Sequence, residues 1–331
     1  MSARRQDGRF ALGRREFVAA SAGALVVAAI PAATRRRTAV KRTIPVMGTL
    51  AEFTVVHRDE RIAEAAIDRA VAALRDVERR MTRFRNDSEV GQANLGAHLA
   101  PVAVSAETHA VVAAGVRWAE ASAGAFDPAI GRVVELWDVA HAHEPPRSEA
   151  VHRLARRHFY RKIQLGTERG RPSIFFADQD VHLDLGAIAK GYGVDRAIDA
   201  LRAAGIANGL VDVGGEVAAI GGASGDEPWR IGIADPADPR VVRATVELTD
   251  GAIATSGDYE QFFRWRGHRY HHLMDPDTAA PRETPMHSVT IRAGCCMDAD
   301  AAATATYGMT RGDAQRLLDR MSPGAQVIDM A

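Results

Sequence analysis

The stretch Leu210-Val211-Asp212-Val213-Gly214-Gly215-Glu216-Val217-Ala218-Ala219-Ile220 reads as two short apolar strands on either side of a glycine pair. Such pairs mark tight turns, and a second one, Gly221-Gly222, precedes a further strand over residues 230–234. Toward the C-terminus the pattern predicts strands over 242–248, 252–255, 270–273 and 287–293, then helices over 298–307 and 313–320. Toward the N-terminus it predicts a helix over 191–204 that stops at Gly205, and two short strands within 174–185. A second helix spans 106–121 and stops at Gly124; 127–137 is a turn or helix, and 141–149 a surface loop. Ile62, Ala66, Val71, Leu74, Val77 and Met81 recur at helical spacing, so 62–81 is an amphipathic helix. Residues 83–94 are polar and loop-like, and 49–56 alternate as a strand. Strands and helices mix without a regular βαβ beat, which favours an α+β fold over a doubly wound sheet.

The 331 residues are 47% hydrophobic and 25% charged, which excludes wholesale disorder and allows a proper core. Two cysteines, Cys295 and Cys296, are too few for a disulfide scaffold or a four-cysteine zinc site, and read as packed residues. Net charge is zero, but the distribution is uneven. Residues 1–42 carry ten Lys and Arg against two acids; the remainder carries 32 bases against 40 acids. A domain that acidic is not a general nucleic-acid binder, and no nucleic-acid partner is expected.

Arg14-Arg15-Glu16-Phe17-Val18 and the apolar run over 19–33 fit a cleavable export signal of the twin-arginine type, ending in small residues near Pro31-Ala32-Ala33. Residues 1–40 are therefore expected to be a leader that meets the membrane only in transit, and 41–331 the mature domain. The destination is periplasmic or otherwise extracytoplasmic. No cysteine near the cleavage region offers a lipid anchor.

Standard nucleotide and hydrolase signatures fail. Gly186 to Gly191 lacks the ending of a Walker loop, and there is no His-Glu-x-x-His helix and no Gly-x-Ser-x-Gly elbow. Three other clusters carry chemistry. On a helix, Asp300 and Thr304 stand one turn apart among alanines, an arrangement with room for a hard cation on oxygen ligands; Asp298 and Asp300 also suit a helix N-terminus. Asp184 to Asp195 runs from a strand end through Gly186 into a helix, a junction that attracts phosphate, and Lys190 is one of only three lysines. Ala254 to Tyr259 and Tyr270 to Pro276 collect hydroxyls, His and Asp at strand ends. His271 and His272 face opposite sides of a regular strand, so one need face a site.

The ordered motifs are Met47-Gly48-Thr49; Met81-Thr82-Arg83-Phe84 leading to Asp87-Ser88-Glu89; Gly124 to Pro128; Asp184 to Gly191; Ala254 to Tyr259; His272 to Pro276; and Asp298 to Thr304. Together they resemble the FAD:protein FMN transferase family, the ApbE-like flavin transferases, over roughly residues 44–320. The resemblance implies an α+β, T-fold-like, mainly antiparallel sheet with packed helices. It also implies a Mg²⁺-dependent transferase that moves FMN from FAD to a Thr or Ser of a redox protein through a phosphoester, releasing AMP. By position, Met47, Phe84, Ala125, Phe126, Asp127, Asp184, Lys190 and Met274 would contact FAD, and Ala187, Asp300 and Thr304 would hold Mg²⁺. His272, or less favourably Asp258 or Asp275, would take the hydroxyl proton. Phe84 stands where the family commonly has Tyr, Ala187 where it has Gly, and His271 where it has Ser. Residues 278–281 replace a Gly-containing turn. Two other readings use the same residues: a Mg²⁺-dependent FAD pyrophosphatase giving FMN and AMP, and a non-catalytic flavin-binding protein.

Overall fold

A computed structural model describes residues 38–224 and 227–331. The expected export signal lies outside the described residues up to position 37; positions 38–40 already belong to the first strand.

Strands β1 (Thr38–Val46) and β2 (Thr49–His57) form a hairpin that turns on Met47 and Gly48. Helix α1 (Glu60–Met81) follows, capped by Asp59, whose side chain accepts from the Arg61 amide. Its inward stripe is Ala63, Ala66, Ile67, Ala70, Val71, Leu74, Val77 and Met81, whereas Ile62 is exposed. Residues 83–94, expected to be a loop, contain helix α2 (Glu89–Gly96). Its start is set by a cap: the buried Ser88 hydroxyl accepts from the Gly91 amide.

Helices α3 (Ala106–Ala121), α4 (Gly131–Trp137) and α5 (Ser148–Leu154) come next. A small sheet of β3 (Val102–Ala103), β4 (Ile163–Glu168) and β5 (Arg171–Phe176) lies among them in the order β3-β5-β4. Of the two strands expected over 174–185, only the end of β5 forms; His182 makes an isolated bridge to Ile130.

The remaining elements build the principal sheet and its covers. They are α6 (Ala189–Ala203), β6 (Gly209–Val213), β7 (Glu216–Ile220), β8 (Trp229–Ala234), β9 (Val242–Leu248) and β10 (Gly251–Gly257). Then come β11 (Phe262–Trp265), β12 (His268–His271), β13 (Met274–Asp275), β14 (Ala280–Pro281), β15 (Ser288–Ala293), α7 (Cys296–Thr306), α8 (Arg311–Met321) and β16 (Gln326–Met330).

Seven strands pair in the order β1-β2-β6-β7-β10-β15-β16, every pair antiparallel. The fold is α+β. Side chains alternate between the faces with period two. Val211, Val213, Ala218, Ile220, Ala252 and Ala254 join the core under the helices, whereas Leu210, Val217, Ala219 and Ile253 pack with Trp229, Ile231 and Leu248 of the β8–β9 hairpin. By the same alternation Glu216 lies on the helix side, two residues before Ala218.

Helices α6 and α7 pack on that face and on each other. Neither N-cap residue, Ile188 or Cys295, supplies a side-chain cap. Each helix is capped by the other instead. Asp300 Oδ2 accepts from the Gly191 amide in the first turn of α6 at 2.9 Å. Asp195 accepts from the Cys296 and Met297 amides in the first turn of α7 at 2.7 and 2.9 Å. This closeness depends on Gly191: a Cβ there would lie 2.3 Å from the Cys296 carbonyl oxygen and 2.8 Å from Asp300 Cβ.

Candidate active site

The segment from Asp184 to Gly191 joins two groups of side chains. At its start, Asp184 Oδ1 accepts from the Gly186 amide at 2.9 Å and Oδ2 pairs with Arg83 Nε at 2.8 Å. The Arg83 guanidinium lies over the Phe84 ring, 4.3 Å from its centre, and the ring itself is 80% exposed. An aromatic so little covered by its own protein offers a face for a flat ligand. The Asp184 amide also donates to the Pro128 carbonyl at 2.9 Å, which holds the 125–128 run beside this group.

At the other end, Ala187 keeps a negative φ, so the alanine methyl is tolerated there. Gly191 gives its amide to Asp300. Asp300 is buried, and its Oδ1 has no hydrogen-bond partner among the described residues. One turn further along α7, Thr304 Oγ1 lies 3.3 Å from Ser256 Oγ. The Lys190 ammonium donates to Glu216 Oε1, while the buried Glu216 Oε2 has no partner among the described residues.

Charge is unbalanced in this corner. Burial pulls the Lys190 pKa down, but Glu216, then Asp300 and Glu260, outweigh it and hold the ammonium charged. Burial pushes Glu216 well above the carboxylate range, raises Asp300, and lifts Glu260 to about 7. Three carboxylates therefore surround one ammonium, and each keeps an oxygen without a hydrogen bond among the described residues. These hard oxygen donors fit Mg²⁺, whose charge would favour their ionised forms. Among the described residues no three His, Cys, Asp or Glu side chains form a metal-binding group by themselves.

Met47 borders this corner: its amide donates to Glu78 Oε1 at 2.6 Å, and its sulfur lies 3.3 Å from where a Gly193 Cβ would stand. Met274 is buried in β13. His272 follows β12, with Nδ1 3.4 Å from the Gln261 carbonyl oxygen. A carbonyl can only accept, so Nδ1 carries the proton and Nε2 presents a lone pair. Burial, then His271 and Lys190, pull the His272 pKa down to about 4, which keeps the ring neutral at pH 7. His271 points into the core and serves structure: Nε2 bonds the Arg282 carbonyl at 3.1 Å and Nδ1 accepts from the Leu273 amide at 3.2 Å.

Three expected site residues, the candidate base Asp258 and the candidate contacts Phe126 and Asp127, are buried and tied to or packed among their neighbours. Asp258 is buried with one oxygen on Arg269 at 3.0 Å and the other on His287 at 2.9 Å. Phe126 is buried in the core. Asp127 accepts from the Ala129 and Tyr160 amides at 2.8 and 3.2 Å, and burial lifts its pKa to about 6. From the 125–127 run, the Ala125 carbonyl accepts from Arg282 at 2.6 Å. In the turn that lacks glycine, Ala279 has φ 51°, and its carbonyl accepts from Trp137 Nε1 at 2.7 Å.

A model of the ApbE family matches residues 47–328. The FAD:protein FMN transferase of Treponema pallidum is 35% identical over 300 residues, covering 86% of this chain and 82% of its own length. That of Vibrio cholerae is 35% identical over 265 residues, 78% of each chain. The solved ApbE protein of Thermotoga maritima superposes with a TM-score of 0.78 at 30% identity, covering 89% of this chain and 96% of that one. The flavin transferase ApbE of Vibrio cholerae gives 0.74 at 32% identity over 86% and 91%. The chain belongs to the ApbE family. With that membership it is an enzyme of the transferase class.

Within this ApbE-family chain, sequence reading missed Glu216, Glu260 and Asp195. Glu216 lies directly after the Gly214-Gly215 pair, which reads only as a turn. The available signal for Asp195 is the absence of a capping side chain at residues 188 and 295.

Proposed function

We propose that this ApbE-family transferase moves FMN from FAD to a Thr or Ser hydroxyl of a redox protein, using Mg²⁺ and releasing AMP. The observation that carries the reading is the Gly191–Asp300 hydrogen bond, which brings an under-bonded carboxylate to the first turn of α6, next in the chain to Lys190. The Ala187 carbonyl, Asp300 and Thr304 would hold Mg²⁺, which when bound supplies positive charge to the diphosphate oxygens. Lys190 adds a fixed charge held by Glu216, and the first turn of α6 directs backbone amides toward an anion. Phe84 gives the flavin ring a stacking face, with Met47, Ala125, Asp184 and Met274 around the same ligand. His272 Nε2 accepts the proton of the incoming hydroxyl. The hydroxyl oxygen forms its bond to the FMN phosphorus as the phosphorus–oxygen bond to AMP breaks, and AMP keeps that electron pair.

The test is incubation with FAD and Mg²⁺, with and without a Thr-bearing redox acceptor. A flavin-fluorescent acceptor band on a denaturing gel together with free AMP is expected. Free FMN and AMP with no labelled acceptor would replace transfer by hydrolysis, and uncleaved FAD would leave binding alone. His272→Ala should bind FAD normally and lose transfer; labelling at the parent rate would remove His272 from its assigned step.

We also propose that the protein is exported, on the strength of Arg14-Arg15 and the apolar run after them. Blocking twin-arginine translocation should leave the leader uncleaved; unchanged processing would refute this.

A further inference from the structure

The β11–β12 hairpin concentrates positive charge on a domain that is otherwise acidic. From Gln261 to Met274 there are three arginines and no acid, whereas residues 43–331 as a whole carry 32 bases against 40 acids. The register places Arg264 directly opposite Arg269. Like charges facing each other across a ladder are unfavourable. Arg269 has a carboxylate, Asp258, at 3.0 Å. Arg264 and Arg266 have no carboxylate partner among the described residues; each lies over a ring, Arg264 5.7 Å from the Phe262 centre and Arg266 4.2 Å from that of Trp265. Arg269 lies over Phe262 as well, at 4.7 Å.

The hairpin is firmly rooted. On its inner face Phe263 stacks on Tyr270 with ring centres 5.1 Å apart, and Tyr270 stacks on Trp137 at 5.5 Å. Arg266 and Gly267 make a two-residue turn with φ 49° and 85°, which matches the strand twist and fixes where the arginines project. Two strand residues beyond Arg269 the chain reaches His271, and then His272.

We propose that the solvent face of this hairpin docks an acidic segment of the acceptor protein, next to the hydroxyl that receives the flavin. This rests on the transfer reading above. Charge complementarity selects the occupant. The two arginines without a carboxylate partner attract a negatively charged segment and, on the hairpin that leads to His272, orient it toward the site. The net negative charge of residues 43–331 disfavours a long polyanion, which needs a basic track wider than one hairpin.

The test uses the full chain, its R264S/R266S variant and an R264K/R266K variant. The probes are two labelled Thr-containing peptides, one rich in Asp and Glu and one with Asn and Gln at the same places. Fluorescence anisotropy is read at low and high salt, with phosphatidylglycerol vesicles and single-stranded DNA as competitors. The acidic peptide should bind about tenfold more tightly than the neutral one at low salt, an advantage that salt removes. R264S/R266S should lose about tenfold, and R264K/R266K should retain most of the affinity. FAD binding, followed by flavin fluorescence, should stay at parent levels in both variants, and so should FAD cleavage, read as AMP release, once the acidic peptide is saturating. Equal binding of the two peptides, undiminished binding by R264S/R266S, or displacement of the peptide by vesicles or DNA at lower concentration would overturn the proposal. Because FAD cleavage is read separately, loss of the transfer reading and loss of the docking surface give different results.

Discussion

Gly191→Ala tests whether the approach of α6 to α7 organises the site. The added Cβ would stand 2.3 Å from the Cys296 carbonyl oxygen, 2.7 Å from its carbon and 2.8 Å from Asp300 Cβ, where ordinary contact begins near 3.4 Å. These are backbone and near-backbone atoms, so no side-chain rotation relieves the overlap. The helices must separate by about 1 Å, at an overpacking cost of about 1–3 kcal/mol. The better helix propensity of alanine returns up to about 1 kcal/mol, leaving a modest net loss of stability. The effect on chemistry is larger. Separation stretches the 2.9 Å bond from Gly191 to Asp300 and carries the carboxylate away from the Ala187 turn. A misplacement of about 1 Å in a site of this kind costs about a hundredfold in rate. The assay is Mg²⁺-dependent release of AMP from FAD, read by chromatography beside a urea unfolding curve. Gly166→Ala is the control, since its nearest neighbour is Ser173 Oγ at an ordinary 3.7 Å. Turnover by Gly191→Ala at the parent rate with unchanged unfolding would refute the claim that this helix contact sets the geometry.

Asp195→Ala should destabilise the fold by about 2–3 kcal/mol in urea unfolding, because the buried amides of Cys296 and Met297 lose their acceptor. Burial raises the Asp195 pKa from 3.8 to about 6, so the folded state takes up a proton between those values. The contribution of Asp195 to stability therefore grows as pH falls through 6, and the loss in Asp195→Ala should be about 1 kcal/mol larger at pH 5 than at pH 7; an equal loss at both would contradict the shift. Asp300→Ala should abolish Mg²⁺-dependent FAD cleavage while flavin fluorescence still reports binding, since Phe84 and Asp184 stand at the other end of the segment. Metal-dependent turnover close to parent would remove Asp300 from the cation site.

Elements with strong periodic signals were legible from the sequence. The α1 stripe and the β6–β7 hairpin follow from spacing alone, because one buried face imposes the period. Helix α2 was not, since its eight residues bury only Val90, Gly91, Ala93 and Asn94 and its start depends on the Ser88 cap. Strand β1 begins inside the stretch assigned to the leader, β4 is mostly exposed and β16 mostly half-buried. At the site, the motifs supply Ala187, Lys190, Asp300 and Thr304 because each belongs to a short local pattern. The partnerships Lys190–Glu216 and Asp195–α7 join residues distant along the chain, and no local pattern encodes them. Asp258 looked like a free acid in sequence for the same reason: Arg269 and His287 reach it only in the folded chain.

The crossed caps of α6 and α7 make the two helix ends an interlock. Whatever draws Asp300 off Gly191 uncaps α6, and whatever frees Asp195 loosens the helix that carries Asp300 and Thr304. The order of the two helix ends therefore belongs to one cooperative unit, and the proposed cation grip would share it. Grafting either helix into another scaffold without its mate would carry over the residues and leave their geometry behind.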